Sequence, residues 1–204
     1  MAHRRGDSLS APLLVSLATA AISIVPIRSY DAFWHLATGR WIVDHAALPA
    51  RDPFGLASSD VVWHNGAWLF QILLYGFHRL GGDATLSLAR AVTVGLLAGW
   101  LFFQARRESP AAGALLLVSV AIYGADPRLA VRPEIAGIVL VALVVTLSLG
   151  ALSRGALVAI AAVVALWINL HPSALLAPVI VGAAAAGRAA AGERTREDIA
   201  RFGI

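Results

Sequence analysis

Long apolar segments separated by short polar turns run along most of this chain. A helix that spans a membrane needs about 20 mostly apolar residues. The segments that meet or approach that length are Ala11–Ile27, Thr85–Ala105, Ala111–Ala125, Ile135–Leu152, Ala156–Leu170 and Ser173–Gly187. The pattern predicts an all-α protein, a polytopic membrane helical bundle with about six spans. We interpret residues 1–204 as a single membrane domain.

A longer and more polar segment, residues 28–83, separates the first two predicted spans. Within it, Asp31–His45 places apolar residues three and four positions apart, as one face of a helix requires. Gly66–Leu80 is rich in aromatic and aliphatic residues but is shorter than a typical span. We interpret both as amphipathic helices at the membrane interface, with a membrane crossing by Gly66–Leu80 as the alternative.

The composition agrees with a membrane location. Of the 204 residues, 59% are hydrophobic and 14% are charged, whereas soluble domains contain about 25% charged residues. The absence of Cys excludes disulfides, thiolate metal sites and cysteine nucleophiles. All sixteen basic residues are Arg, and they are scattered along the chain. Because nucleic-acid binding needs a contiguous basic face, we expect no nucleic-acid partner.

The positions of the arginines predict the topology, because cytoplasmic loops carry an excess of positive charge. Arg4 and Arg5 precede the first span, and Arg106 and Arg107 follow the second. Residues 188–204 contain four more arginines and are interpreted as a basic cytoplasmic tail. The chain is therefore expected to have both termini inside the cell, with residues 28–83 as a large external first loop.

The first candidates for chemistry are Asp31 and His35, at the start of that external loop. They lie four positions apart, so on a helix they share one face. A carboxylate at the membrane surface can act as a general base, here with His35 beside it, or it can bind a divalent cation such as Mg²⁺ or Mn²⁺. The alternative is that Asp31 only caps the helix that follows it.

A second pair of candidates, Arg128 and Arg132, lies in the external turn between the third and fourth predicted spans. Arg offers a planar fork of donors that suits phosphate oxygens, so the pair is a candidate clamp for a lipid-linked phosphate. Alternatively, these side chains extend to lipid headgroups or pair with Asp126 and Glu134.

Four further polar residues interrupt apolar sequence and are candidate ligands of a sugar or phosphate. His64 and Asn65 precede the Gly66–Leu80 helix, where they could equally start that helix. Asn169 and His171 lie between the last two predicted spans, where polar side chains are functional candidates by default. Their alternative role is to satisfy backbone groups freed by Pro172.

Several of these residues belong to short motifs that occur here in one combination. The motifs are Asp31–His45, Leu48–Phe54, Trp68-Leu69, Leu73-Leu74-Tyr75, Arg79-Leu80-Gly81-Gly82, Arg132-Pro133 and Trp167-Ile168-Asn169-Leu170-His171. In this combination the chain resembles the N-terminal part of bacterial membrane glycosyltransferases of the GT-C class, in the broad group of mannosyl- and arabinosyltransferase-like enzymes. The resemblance covers about residues 10–187, almost the whole sequence.

The resemblance implies a multi-pass protein of the bacterial inner membrane. Such a protein transfers a sugar from a polyprenyl-phosphate donor to an acceptor glycan, lipid or protein at the outer face. Enzymes of this class place an essential acid in the first external loop, and Asp31 matches that position.

The chain also departs from the pattern of these enzymes. Related proteins often carry His-Glu before the Trp-Leu pair, where this chain has Gly66 and Ala67. They are also longer, so we expect the tail at residues 188–204 to be truncated. The alternative function is a non-catalytic membrane protein: a transporter subunit, a scaffold or an inactive fragment of such an enzyme.

Overall fold

The computed structural model describes residues 9–55, 62–150 and 152–191. Within these ranges the protein is all-helical and has no strand, as the sequence predicted. The α-helices are α1 (Ser10–Ile22), α2 (Tyr30–His45), α3 (Trp68–Ala105), α4 (Ala111–Ala125), α5 (Pro133–Leu149), α6 (Arg154–Leu170) and α7 (Leu176–Ala190). Short 3-10 helices at Asp126–Arg128 and Pro172–Leu175 precede α5 and α7.

The chain divides into two compact units. The first contains the described residues up to Thr38 together with Leu73–Arg132, and the second contains Gly39–Ile72 and the described residues from Pro133 onward. The divisions therefore fall inside α2 and α3. Each unit has its own apolar core.

The helix at the start of the chain is shorter than the sequence predicted. The predicted span Ala11–Ile27 was wrong at its C-terminal end, because α1 stops at Ile22. Pro26 explains the difference, since its ring cannot donate a backbone hydrogen bond and would clash with the carbonyl group of Ile22 in a continuing helix. Residues after Ser23 therefore leave the helix and form one wall of a cavity described below.

Helix α2 confirms the prediction of a helix over Asp31–His45 and begins one residue earlier, at Tyr30. Helix α3 joins the predicted Gly66–Leu80 and Thr85–Ala105 helices, with a break at Gly81 and Gly82. Gly82 has φ 64° and ψ −150°, a conformation that only glycine adopts readily. The Gly-Gly pair thus lets the chain change direction between two helical segments.

The later helices agree closely with the predicted segments. Helix α4 has the predicted bounds, and α6 begins two residues before the predicted Ala156. Helix α5 ends at Leu149, before the predicted Leu152, and the predicted Ser173–Gly187 helix opens with a 3-10 turn that leads into α7. By length and composition, α3 and the Pro172–Ala190 segment could cross a membrane. The six-span topology stays a prediction.

In the first unit, α1 packs against α3 through glycines. A Cβ atom at Gly95 would lie 2.5 Å from the Ser16 carbonyl oxygen, and one at Gly99 would lie 2.7 Å from the Pro12 carbonyl oxygen. Gly95 and Gly99 are four positions apart in apolar sequence, the spacing that allows helix backbones to approach closely in membranes. Sequence reasoning missed this contact, although the Gly-x-x-x-Gly spacing was its signal. Beside it, buried residues of α3 and α4 form a core around Phe102 and Val118.

We expect Gly99→Ala to lower the free energy of unfolding by about 1–3 kcal/mol, because the added methyl group overpacks against backbone that cannot move aside. Gly76→Ala is the matched control in the same helix. A Cβ there meets nothing within 4 Å, so the change should stabilise α3 by up to about 1 kcal/mol. Denaturant unfolding in detergent micelles would measure both, and equal effects of the two substitutions would contradict the packing described here.

The second unit has its core between α5, α6 and α7, around Val144, Ile160 and Trp167. Arg188 belongs to this unit, in the last turn of α7. It donates to the backbone carbonyl oxygens of Ser148 at 2.7 Å and Gly150 at 3.2 Å, the C-terminal end of α5. The start of the predicted tail therefore overlaps the last turn of α7, since alanine-rich sequence favours helix and this contact holds Arg188 in it. The cytoplasmic location of the tail stays a prediction. Residues 192–204 of the predicted tail lie outside the described residues.

Candidate functional site

The first unit contains a cavity of about 750 Å³ that opens where α1 ends. Its apolar walls come from α1 and α4, with Val15, Ile22, Val118 and Ile122 among the lining residues. The non-helical segment after α1 and the turn after α4 also line it. A volume of 300–1,000 Å³ is typical of small-molecule sites. The cavity is therefore large enough for the head of a lipid together with part of its chain.

Arginines give this apolar cavity a positive rim. Arg28, Arg90 and Arg132 line it, and Asp126 is the acidic residue among the described lining residues. The four side chains together carry a net charge of +2 when all are ionised. An apolar cleft with this excess of positive charge suits an amphipathic anion, because the anion can place its charged group at the arginines and its chain against the walls.

Arg90 was overlooked by the sequence reasoning, although an arginine inside the apolar segment Thr85–Ala105 is an unusual feature. Its side chain is 12% exposed and has well-defined partners. The guanidinium group donates to the carbonyl oxygen of Leu129 at 2.7 Å and to that of Ser23 at 2.8 Å. It also pairs with the Asp126 carboxylate at 3.3 Å. Arg90 therefore connects the ends of α1 and α4 to α3 and holds the cavity walls together.

Arg132 and Asp31, to which the sequence analysis assigned separate roles, form an ion pair. The distance from Arg132 Nη2 to Asp31 Oδ2 is 3.0 Å, and Arg132 Nε donates to Ser29 Oγ at 2.7 Å. Asp31 lies in the first turn of α2, where the helix dipole also favours a negative charge. The described carboxylate partner of Arg132 is thus Asp31 and not Asp126 or Glu134, and Asp126 pairs with Arg90.

His35 and Arg128 complete the predicted residues of the first unit. His35 is half-buried on α2, one helical turn after Asp31. Arg128 ends the 3-10 turn after α4, is exposed, and is not among the described lining residues of the cavity. Of the predicted arginine pair, the structure therefore brings only Arg132 to the cavity and to Asp31.

The predicted polar residues of the α6–α7 turn make hydrogen bonds within the second unit. Asn169 Oδ1 accepts from Trp68 Nε1 at 3.0 Å. His171 Nδ1 accepts from the Ser173 backbone N–H at 3.1 Å and lies 2.6 Å from Ser173 Oγ, which accepts in turn from Trp167 Nε1. Because Nδ1 is an acceptor, a neutral His171 carries its proton on Nε2. The His171 contact agrees with the alternative in which these residues satisfy backbone groups around Pro172, whereas Asn169 contacts an indole group.

The other predicted pair of the second unit lies at the start of α3. Asn65 Oδ1 accepts from the backbone N–H of Ala67 at 3.3 Å, and Asn65 Nδ2 donates to the buried Gln71 Oε1 at 2.6 Å. Asn65 thus supports the first turn of the helix, which is the alternative that the sequence left open. His64 precedes it with an exposed side chain.

The predicted Mg²⁺ or Mn²⁺ site can be tested against the available ligands. Such cations need several oxygen ligands, and the described residues contain no group of three or more His, Asp or Glu residues that could hold a metal. The Asp31 carboxylate is paired with Arg132, whose charge opposes a cation beside it. The described residues around Asp31 therefore do not fit a divalent cation site.

The site therefore consists of a positively charged cavity with apolar walls and of an acid tied to one of its arginines, all within the first unit. Of the predicted polar residues in the second unit, Asn65, Asn169 and His171 make hydrogen bonds within that unit. His64 lies next to Asn65 in the sequence. In comparisons with known proteins, no family model, no curated protein and no solved structure matches this chain.

Proposed function

We propose that this chain is a multi-pass protein of the bacterial inner membrane that transfers a sugar from a polyprenyl-phosphate donor to an acceptor at the outer face. The observation that carries the proposal is the cavity of the first unit, where Arg28, Arg90 and Arg132 meet apolar walls and Asp31 contacts Arg132. The resemblance of the sequence to GT-C enzymes points to the same chemistry.

The membrane location is supported by apolar side chains that the first unit leaves exposed. Leu13, Leu14 and Leu17 of α1 are more than half exposed, as are Leu116 and Leu117 of α4. Apolar surface of this extent is expected to contact lipid. Helices as short as α1 can cross when the bilayer thins locally or when flanking residues extend to the interface. We propose six spans with both termini inside, which places the cavity mouth at the outer face.

Binding of the donor follows from the chemistry of the cavity. Arg28 and Arg132 are positioned to contact a phosphodiester, because guanidinium groups form charge-assisted and often bidentate hydrogen bonds to phosphate. Arg90 donates to protein atoms and adds positive charge to the same space. The polyprenyl chain would lie along the apolar walls between α1 and α4. His64, Asn65, Asn169, His171 and Arg128 stay candidates for contacts to the sugar or the acceptor.

The transfer step needs a base for the acceptor and stabilisation of the leaving group. Asp31 would take the proton of the acceptor hydroxyl group as the oxygen forms its bond to the anomeric carbon, with His35 orienting the acceptor. The bond between the anomeric carbon and the phosphate oxygen breaks at the same time. The polyprenyl phosphate leaves with the electron pair, and the arginines of the cavity stabilise its added charge.

A second candidate is a membrane protein that binds a lipid phosphate without transferring a sugar: a transporter subunit, a scaffold or an inactive fragment of a transferase. Two observations favour it. The Asp31 carboxylate is occupied by Arg132, and Gly66 and Ala67 stand where related enzymes often carry His-Glu. The two candidates share the lipid phosphate and differ in the transfer step.

Binding of a long-chain polyprenyl phosphate to the purified chain in nanodiscs tests the part that both candidates share. We expect Arg132→Gln to weaken binding about tenfold, because one charge-assisted contact to the phosphate is lost. Arg79→Gln is the matched control, since Arg79 is exposed on α3 and outside the described cavity lining. Failure of the unaltered chain to bind, or equal losses in both variants, would contradict the proposal.

A further inference from the structure

We infer that Arg132 is a partner-exchanging residue: it pairs with Asp31 and transfers to the donor phosphate when the lipid binds, which releases the Asp31 carboxylate. The inference rests on the proposed function, because it takes the cavity as the phosphate site. It adds a coupling that neither the cavity nor the ion pair shows alone, namely that donor binding prepares the acid for the acceptor.

The position of Arg132 is the first argument. It lines the cavity and also contacts Asp31, whereas Asp31 is not among the described lining residues. A phosphate in the cavity and the Asp31 carboxylate therefore compete for one guanidinium group from two sides. Nη2 makes the contact to Asp31 and is also a donor that suits a phosphate oxygen, so a phosphate that takes Nη2 displaces the carboxylate.

The second argument is that the existing pair is weak enough to exchange. The side chains of Arg132 and Asp31 are 34% and 58% exposed, and pairs this open to water contribute little to stability. Arg132 Nε also donates to Ser29 Oγ at 2.7 Å. Because the guanidinium group is a rigid plane, it turns as a whole about the side-chain bonds when Nη2 passes from the carboxylate to the phosphate.

The exchange matters for the order of events at the site. While Arg132 is bound to Asp31, one carboxylate oxygen of Asp31 contacts the guanidinium group and cannot accept the proton of the acceptor hydroxyl group. Once the phosphate takes Arg132, that oxygen is available to accept the hydroxyl proton. No covalent bond changes in the exchange, since one ion pair replaces another. By linkage, weakening the Arg132–Asp31 pair strengthens phosphate binding by at most the factor by which the pair is weakened.

The test is binding of a long-chain polyprenyl phosphate to the full chain in phosphatidylcholine nanodiscs. We expect Asp31→Asn to bind it about threefold more tightly, the factor that corresponds to the loss of one partly exposed ion pair. A gain in affinity cannot come from structural damage. Asp31→Glu keeps the competing charge and is expected to bind like the unaltered chain. Asp83→Asn removes an exposed carboxylate that pairs with His78 and is expected to have no effect.

A double-mutant cycle assigns the gain to Arg132. In an Arg132→Gln background, Asp31→Asn is expected to give no gain, because the competition has been removed. A gain that persists in that background, or equal or weaker binding by Asp31→Asn alone, would overturn the inference while leaving the proposed phosphate site intact. Absence of binding by both the unaltered chain and Asp31→Asn would instead remove the proposed function, and the exchange with it.

Discussion

Replacing Arg90 by Met is expected to lower the free energy of unfolding of the first unit by about 3 kcal/mol, because hydrogen bonds from a charged group contribute about 1.5–3 kcal/mol each. Two backbone carbonyl oxygens, those of Ser23 and Leu129, lose their donor. Asp126 loses its partner as well, although its exposure limits that loss. In an apolar environment the freed carbonyl groups have few other donors, which makes this a large effect for one side chain.

Thermal or denaturant unfolding in detergent micelles would measure the loss. Arg90→Lys is the informative intermediate, since Lys keeps the charge but not the planar fork that reaches several acceptors at once. Arg79→Met is the control on the same helix, because Arg79 is exposed. If Arg90→Met and Arg79→Met shifted unfolding equally, Arg90 would not connect α3 to the ends of α1 and α4.

Asp31→Asn is expected to slow sugar transfer by about 10²–10⁴-fold, the range that a positioned general base contributes. The amide keeps the shape of the side chain but has little affinity for a proton, so the acceptor hydroxyl group is no longer activated. The same variant is expected to bind the polyprenyl phosphate more tightly. Weaker catalysis with stronger donor binding is a combination that misfolding would not produce.

A single-turnover transfer assay with a polyprenyl-phosphate sugar and a panel of glycan, lipid and peptide acceptors would measure the rate. Asp44→Asn is the matched control. Asp44 lies near the other end of α2 and pairs with Arg40 on the exposed surface, so its loss should leave transfer unchanged. Retained transfer by Asp31→Asn would exclude Asp31 as the base. No transfer by the unaltered chain, together with binding of the lipid phosphate, would favour the non-catalytic candidate.

The helices could largely be predicted from the sequence because apolar runs and their breaks are local features. Helix α4 has its predicted bounds, and α2 differs by one residue. The misplaced end of α1 was also readable, since Pro26 excludes a helix through the preceding turn. The close packing of α1 on Gly95 and Gly99 left a signal in the Gly-x-x-x-Gly spacing. What the sequence could not supply is which surface those glycines meet.

Two residues of the candidate site could also be selected from the sequence, but the contact between them could not. Asp31 and Arg132 could each be selected from local sequence, one as an acid at the start of a helix and the other as an arginine in a turn that is predicted to be external. Their contact joins positions about a hundred residues apart, and no periodicity encodes such a pairing. The sequence also singled out three polar residues whose side chains the structure places in hydrogen bonds to neighbouring backbone and indole groups: Asn65, Asn169 and His171.

By itself the sequence determined that this protein is helical and apolar, because composition and periodicity are local properties of the chain. It also reduced the candidates for chemistry to a few polar residues. Only the tertiary structure decided which of those residues meet. Arg90 donates to the carbonyl groups of Ser23 and Leu129, which follow α1 and α4. Arg132 lines the cavity and also pairs with Asp31. Those contacts depend on how the helices pack. Packing depends in turn on small residues and helix ends that bring distant parts of the chain within hydrogen-bonding distance.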